Sequence, residues 1–169
     1  MARIIHSSGI TFGTTADTRH GQLHYSAGTA CPDGLPALYD STGHFVEPVN
    51  QWFLELKTVK RLVDINTAAK AMLRYWRFLE RENLEWNHFP PVNRLKPTYR
   101  FRSEDLLSAA REGRMAFSTA NSCIGQVVRF YIWAIENHHL VISNENAAPF
   151  KLEFVARQNN GMLAHLRPR

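Results

Sequence analysis

An apolar stripe in residues 65–79 is the feature that most constrains how this chain folds. Its members recur at intervals of three or four residues, which places side chains on one face of an α-helix. They are Ile65, Ala68, Ala69, Met72, Tyr75, Trp76 and Leu79. A helix with such a face must bury it against other elements. Residues 64–83 are therefore predicted to form a core helix, with Asp64 as its N-cap.

The opposite face of this helix carries positive charges and no carboxylate. It presents Asn66, Lys70, Arg74, Arg77 and Arg81. Like charges four residues apart repel each other by about a few tenths of a kcal/mol per pair. A bound polyanion would remove that cost and release counterions. A solvated helix surface without a partner explains the same row, so the row by itself leaves both interpretations open.

Three further helices are predicted between residues 47 and 140. The first covers residues 48–59, with Pro48 in its first turn. The third is short, residues 103–113, with Ser103 as N-cap and Gly113 as its end. The fourth begins at Ser118 or Thr119 and extends to about residue 137. The apolar faces are Val49, Trp52, Phe53 and Leu56 in the first helix, and Ala120, Cys123, Ile124, Val127, Phe130, Tyr131 and Ala134 in the fourth.

The composition of the chain changes on either side of this helical region. Residues 1–46 are rich in Gly, Ser and Thr, and their short β-leaning segments predict a small hairpin arrangement or a loosely ordered arm. Residues 141–169 contain a loop, a possible short strand "FKLEFVA" and the basic end "HLRPR". The predicted fold is mainly α. It comprises an N-terminal β or irregular segment (1–46), a helical domain (47–140) and an extended C-terminal linker (141–169).

Charge and cysteine content narrow the functional class. The 169 residues carry a formal net charge of +5, which favours a polyanionic partner. Two cysteines are too few for a disulfide framework and indicate a reducing compartment. We find neither an apolar run that would span a bilayer nor a secretory signal. The sequence thus predicts a cytoplasmic or nucleoid protein, and no metal or cofactor is predicted.

The outer face of the fourth helix adds polar groups to the basic row. Hydroxyl and amide side chains near a helix N-terminus can bond phosphates together with exposed backbone N–H groups. Asn121 or Gln126 could also reach a base edge. Simple N-capping by Ser118 or Thr119 is the competing explanation for those two residues.

Two segments carry a resemblance to a known family. They are "EPVNQWFLELKTVKRLVDINTAAKAMLRYWRFLERENLEW" and "STANSCIGQVVRFYIWAIENHHLVISNENAAPF". Together they resemble the N-terminal core-binding domain of tyrosine recombinases, the phage-integrase family, over about residues 35–150. The matching positions are Thr67, Tyr75, Trp76, Phe78 and Leu79, then Val128, Phe130, Tyr131, Trp133, Leu140 and Asn146. The family often has Asn-Pro after its last helix, whereas two alanines separate Asn146 from Pro149 here.

The resemblance implies a SAM-like four-helix bundle that grips a recombination half-site with its second and fourth helices. The implied partners are double-stranded DNA and other recombinase subunits, with no membrane and no small-molecule substrate. The residues predicted to bind DNA are Lys60, Arg61, Thr67, Lys70, Arg74, Arg77, Arg81, Ser118, Thr119, Asn121, Ser122, Gln126 and Arg129.

The catalytic residues of that family have no counterpart in this sequence. The family uses an Arg, a Lys, a His-x-x-Arg pair and a nucleophilic Tyr, and none of the eight histidines here is followed by Arg three residues later. The chain is therefore expected to be a non-enzymatic N-terminal part of a longer recombinase. Two alternatives stay open: a helical transcriptional regulator with "GRMAFS" as the turn of a helix-turn-helix, or a basic protein-interaction module.

Overall fold

The protein is mainly helical, in agreement with the predicted fold class. The computed structural model describes residues 1–8 and 34–150 with their side chains, except that of Glu145, and the backbone of four short strands between residues 11 and 30. Four helices make this part of the chain 55% helical. None of the helices in the described part of the chain combines the length and apolar character needed to cross a membrane.

The chain divides into two compact units, Met1–Ala69 and Lys70–Arg169. The division falls within the first turn of the second helix. The domain limits predicted at residues 46 and 140 remain predictions. The predicted strand "FKLEFVA" beyond Phe150 and the basic end "HLRPR" lie outside the described residues.

The first unit begins with nested antiparallel strand pairs, and a small hairpin arrangement was one of the two alternatives predicted for this segment. Strand β1 (Arg3–His6) pairs with β6 (Pro36–Tyr39), β2 (Thr11–Phe12) with β5 (Thr29–Ala30), and β3 (Ala16–Arg19) with β4 (Gln22–Tyr25). In the outermost pair, Ile4 lies opposite Leu38. Alternate residues of β6 are buried, as expected for a strand with one face on the core.

Helix α1 (Glu47–Thr58) is joined to β6 through a buried asparagine. Asn50 Oδ1 accepts a hydrogen bond from Leu38 N–H (2.6 Å), and Asn50 Nδ2 donates to Leu38 O (2.9 Å). Both polar groups of the strand residue are thus satisfied away from water. Pro48 lies in the first turn, and the predicted face of Val49, Trp52, Phe53 and Leu56 is buried.

Helix α2 (Asn66–Arg81) confirms the predicted apolar face, of which only Trp76 is half-buried rather than buried. Asp64 Oδ1 accepts a hydrogen bond from Asn66 N–H (2.7 Å) at the start of the helix. Ala71 and Phe78 are also buried, at 4% and 0% exposure. The buried face is therefore wider than the apolar stripe predicted, and it extends toward Arg74.

Helix α3 (97–111) is longer than predicted, and Ser103 is not its N-cap. It consists of an α-helical start (Pro97–Arg100), a π-helical middle (Phe101–Leu107) and an α-helical end (Ser108–Arg111). Proline suits a first helical position because its missing N–H is not required there. Ser103 instead donates its hydroxyl hydrogen toward the carbonyls of Tyr99 and Arg100, at 2.9 and 3.3 Å.

Helix α4 (Phe117–Glu136) buries the inner face predicted for it, from Ala120 to Ala134. Its N-cap is Ala116, which supplies no side-chain bond. Ser118 and Thr119 lie inside the first turn and are exposed, so the expectation that either one caps the helix was wrong.

Three helix ends in the second unit share one backbone device. Asn83, Gly113 and His138 have positive φ angles of 52°, 71° and 60°. The residue after each one donates its N–H to a carbonyl five residues back: Leu84 to Leu79, Arg114 to Ala109, and His139 to Ala134. This is the Schellman pattern, in which a left-handed residue satisfies the last carbonyls of a helix. Gly113 as the end of α3 is confirmed.

Aromatic side chains make up much of the core of the second unit. Tyr131 of α4 donates its hydroxyl hydrogen to Trp86 O (2.6 Å), so Tyr75 of α2 is the donor in the 2.7 Å bond between the two tyrosines. The Phe101 ring lies 4.9 Å from the Tyr75 ring and 5.4 Å from the Phe78 ring. Burial raises the pKa of both tyrosines well above the ordinary value. The helices are thus held together by ring packing and one chain of hydroxyl bonds.

The segment that follows α4 is fastened to the start of α3. Lys96, which is 1% exposed, donates from Nζ to Ala148 O (2.7 Å), and Thr98 donates its hydroxyl hydrogen to Pro149 O. Phe150 is buried, and its ring is nearly perpendicular to that of Tyr131. The described chain therefore ends at a defined place on the second unit.

Candidate nucleic-acid interface

The basic row of α2 separates into two lines in the structure. At 100° per residue, Lys70 and Arg77 lie along one line of the helix surface. Arg74 and Arg81 lie along a second line, about 40° away and nearer the buried face, which we call the inner line. Lys70 and Arg77 are exposed. The Arg74 side chain is only 34% exposed, whereas that of Arg81 is 57% exposed. The four cations thus do not occupy equivalent positions.

A carboxylate from α3 lies between the two arginines of the inner line. Arg74 Nε donates to Asp105 Oδ2 (2.5 Å), and Arg81 Nη2 lies 3.4 Å from Asp105 Oδ1. Asp105 is 13% exposed, so this pair is partly shielded from water. The carboxylate missing from the row in sequence is supplied by another helix.

Further acidic side chains extend this network along α2 and α3. Arg81 Nε donates to Glu82 (3.1 Å), and Arg100 bridges Glu82 and Glu104 at 2.9 Å each. Hydrogen bonding to Glu82, reinforced by the charge of Asp105, raises the pKa of Arg81 above its ordinary value. The Arg81 guanidinium also lies over the Phe78 ring, 5.3 Å from its centre.

Sequence reasoning missed Asp105 because the pairing depends on the true start of α3. With Ser103 as N-cap, Asp105 would lie in a first turn, where an acidic residue suits the helix dipole and needs no partner. Starting at Pro97 instead places Phe101 against Tyr75 and Phe78. Asp105, one turn later, then meets Arg74. The sequence signal for the true start was Pro97, because proline is common in the first turn of a helix.

A buried thiol lies close to the same ion pair. Burial raises the pKa of Cys123 in α4 to about 11, and the nearby positive charge of Arg74 opposes this rise. Cys123 belongs to the inner face of α4, so Arg74 approaches the core where α2, α3 and α4 meet. Arg74 therefore contributes to the packing of these helices as well as to the charge of the surface.

The polar residues predicted on α4 are mostly at the surface. Ser118, Thr119, Asn121, Ser122 and Arg129 are exposed, and Gln126 is half-buried. Because Ala116 provides no capping side chain, the first-turn backbone N–H groups have no side-chain acceptor from the N-cap. These polar groups share the surface of one helix of the second unit.

The three remaining predicted residues belong to the first unit. Lys60 and Arg61 are exposed in the turn after α1, and Thr67 is exposed in the first turn of α2. Arg61 has a left-handed backbone, with φ of 51°. The structure brings together Lys70, Arg74, Arg77 and Arg81 on one helix and the α4 residues on another.

The second unit also has a cleft, which is lined by residues outside α2. Its lining residues are Thr98, Tyr99, Arg102, Ile124, Val128 and Phe150. In the residues described, no group of three or more His, Cys, Asp or Glu side chains is arranged to hold a metal ion.

Comparisons with family models, with curated proteins and with solved structures each return no match for this chain. The recombinase resemblance therefore stays a prediction.

Proposed function

We propose that this chain is a double-stranded DNA-binding module, and that it serves as the core-binding part of a site-specific tyrosine recombinase. The observation that carries the proposal is the exposed line of Lys70 and Arg77 on α2, continued by the largely exposed Arg81. The net charge of +5 and the exposed hydroxyl and amide groups of α4 support the same partner.

Phosphate neutralisation is the physical basis of this binding. Each lysine or arginine that meets a phosphate releases a condensed counterion, so affinity falls with salt at a slope of about 0.9 per phosphate contacted. Lys70 and Arg77 lie seven residues apart, or about two helical turns and 10.5 Å along the axis. That spacing lets one helix laid across a duplex contact separate phosphates.

The test is a fluorescence anisotropy titration of a labelled duplex at several salt concentrations. We expect Lys70→Ala with Arg77→Ala to weaken binding and to reduce the salt slope by about two phosphate equivalents. The matched control is Arg3→Ala with Arg94→Ala, which removes the same charge from two exposed cations elsewhere in the chain.

Three outcomes separate the candidates. Salt-dependent binding that is lost in the α2 variant and kept in the control supports the proposal. Equal losses of affinity in both variants would show that Lys70 and Arg77 contribute only through the net charge of the protein, which would contradict the proposal. Absence of binding by the parent protein even at low salt would reject DNA and favour an acidic protein partner.

A helix-turn-helix regulator is the second candidate, and the connection between α3 and α4 favours it. The two helices are joined by residues 112–116, which include the left-handed Gly113. In such motifs the second helix reads base edges with residues near its N-terminus. Selection of bound duplexes from a random pool distinguishes the two. In this candidate, Asn121→Ala changes the selected sequence, whereas Lys70→Ala lowers affinity for all sequences.

A further inference from the structure

The arginines of the inner line contact a carboxylate of the protein itself, and this contact affects how they can bind DNA. Asp105 contacts two guanidinium groups, Arg74 at 2.5 Å and Arg81 at 3.4 Å. A DNA phosphate would offer the same guanidinium groups the same kind of acceptor oxygens. The carboxylate therefore occupies a role that a phosphate could take.

We propose that Asp105 competes with DNA phosphates for Arg81 and thereby limits the affinity of the α2 surface. This inference rests on the proposed DNA-binding function and adds its regulation by a carboxylate of the protein itself. Arg81 is the member that exchanges, and Arg74 stays with Asp105.

The geometry distinguishes the two arginines. Arg74 has the shorter contact, is 34% exposed and lies close to the buried Cys123. Arg81 has the longer contact with Asp105 and is 57% exposed. An exposed ion pair contributes little because solvent and salt screen it, so Arg81 can leave Asp105 at small cost. A partly buried pair is costlier to break, because water reaches the separated charges less easily.

The position of Asp105 supports a role beyond helix packing. It lies in the π-helical segment Phe101–Leu107. Such segments are rare and recur at functional sites. Glu82 also contacts Arg81 (3.1 Å), so the guanidinium keeps an acidic neighbour when Asp105 is neutralised. The effect of Asp105 is thus a graded reduction of affinity.

The test compares two variants that remove one negative charge each. Asp105→Asn neutralises the internal competitor. Glu85→Gln neutralises an exposed carboxylate that forms no ion pair within the described residues. We expect Asp105→Asn to bind duplex DNA about twofold to fivefold more tightly than the parent, with the same salt slope, because Arg81 meets a phosphate in both proteins. Glu85→Gln should give a smaller gain and an unchanged slope.

A second measurement uses the unaltered protein and so does not depend on whether Asp105→Asn folds. The ¹⁵N NMR signals of the arginine Nε–H groups report on each guanidinium separately. On addition of duplex DNA, the Arg81 signal should shift while the Arg74 signal stays in place.

The outcomes distinguish failure of the Asp105 proposal from failure of the DNA-binding proposal. If the parent binds DNA but Asp105→Asn gains no more than Glu85→Gln, or if the Arg81 signal does not move, competition by Asp105 is rejected and DNA binding stands. If neither the parent nor the variants bind DNA, both proposals are rejected.

Discussion

At the scale of single residues, the two buried tyrosines differ in how many hydrogen bonds their hydroxyl groups make. Tyr131 donates to Trp86 O and accepts from Tyr75, whereas Tyr75 only donates. Both side chains are fully buried. Losing the Tyr131 hydroxyl therefore strips two partners of a bond inside the core.

Tyr131→Phe should lower the free energy of unfolding by about 1–3 kcal/mol, because Trp86 O and the Tyr75 hydroxyl are left unsatisfied. Tyr75→Phe is the matched control, since Tyr131 keeps its bond to Trp86 O. Its loss should be at the lower end, about 0.5–1.5 kcal/mol. Urea denaturation followed by circular dichroism measures both. A larger loss for Tyr75→Phe would contradict the assigned bond directions.

Residue identity alone located most of the buried positions but not the acidic partner of Arg74. Val49, Trp52 and Phe53 are buried as their spacing predicted, because a helical face must be covered by something. Asp105 is thirty-one residues from Arg74 in the chain. Helical spacing identifies which face a residue occupies and says nothing about which residue of another helix will meet it.

At the scale of elements, the two glycines of α3 and α4 illustrate opposite requirements. Gly113 has φ of 71° at the end of α3, where side-chain-bearing residues are strained. Gly125 lies within α4, where glycine costs conformational entropy. An added Cβ would meet nothing within 4 Å at either position. The backbone conformation is therefore the only difference between the two substitutions.

We expect Gly113→Ala to destabilise the protein by about 1–2 kcal/mol through its left-handed backbone. Gly125→Ala should stabilise it by about 0.5–1 kcal/mol, since alanine is the better helix former. Thermal denaturation of the two variants beside the parent is sufficient. Changes of the same sign in both variants would show that packing, and not the backbone angle, governs these positions.

The predicted start of α3 was wrong. Ser103 had the right chemistry for an N-cap, yet the helix begins six residues earlier at Pro97. A serine also satisfies itself inside a helix by bonding a carbonyl of the preceding turn, as Ser103 does with Tyr99 O. Local side-chain chemistry permits both positions, and the burial of Phe101 against α2 decides between them.

At the scale of the whole molecule, the recombinase proposal predicts more than DNA binding. The reading frame of the gene should continue beyond Arg169 and encode an Arg, a Lys, a His-x-x-Arg pair and a nucleophilic Tyr. Strand exchange by Tyr requires such cations around the transferring phosphate. Sequencing the transcript is the measurement. A stop codon directly after Arg169 would remove the recombinase part and leave a DNA-binding protein to be tested by titration.

The sequence by itself determined the helical class of this protein, the faces of α2 and α4 that are buried, and the excess of positive charge. These are local properties, set by side-chain spacing and composition. Only the tertiary structure decided that Arg74 and Arg81 share the carboxylate of Asp105. That outcome depends on where α3 begins and against which residues it packs. Asp105 reaches Arg74 through the fold, because two side chains far apart in the chain meet only after the helices between them have buried their apolar faces.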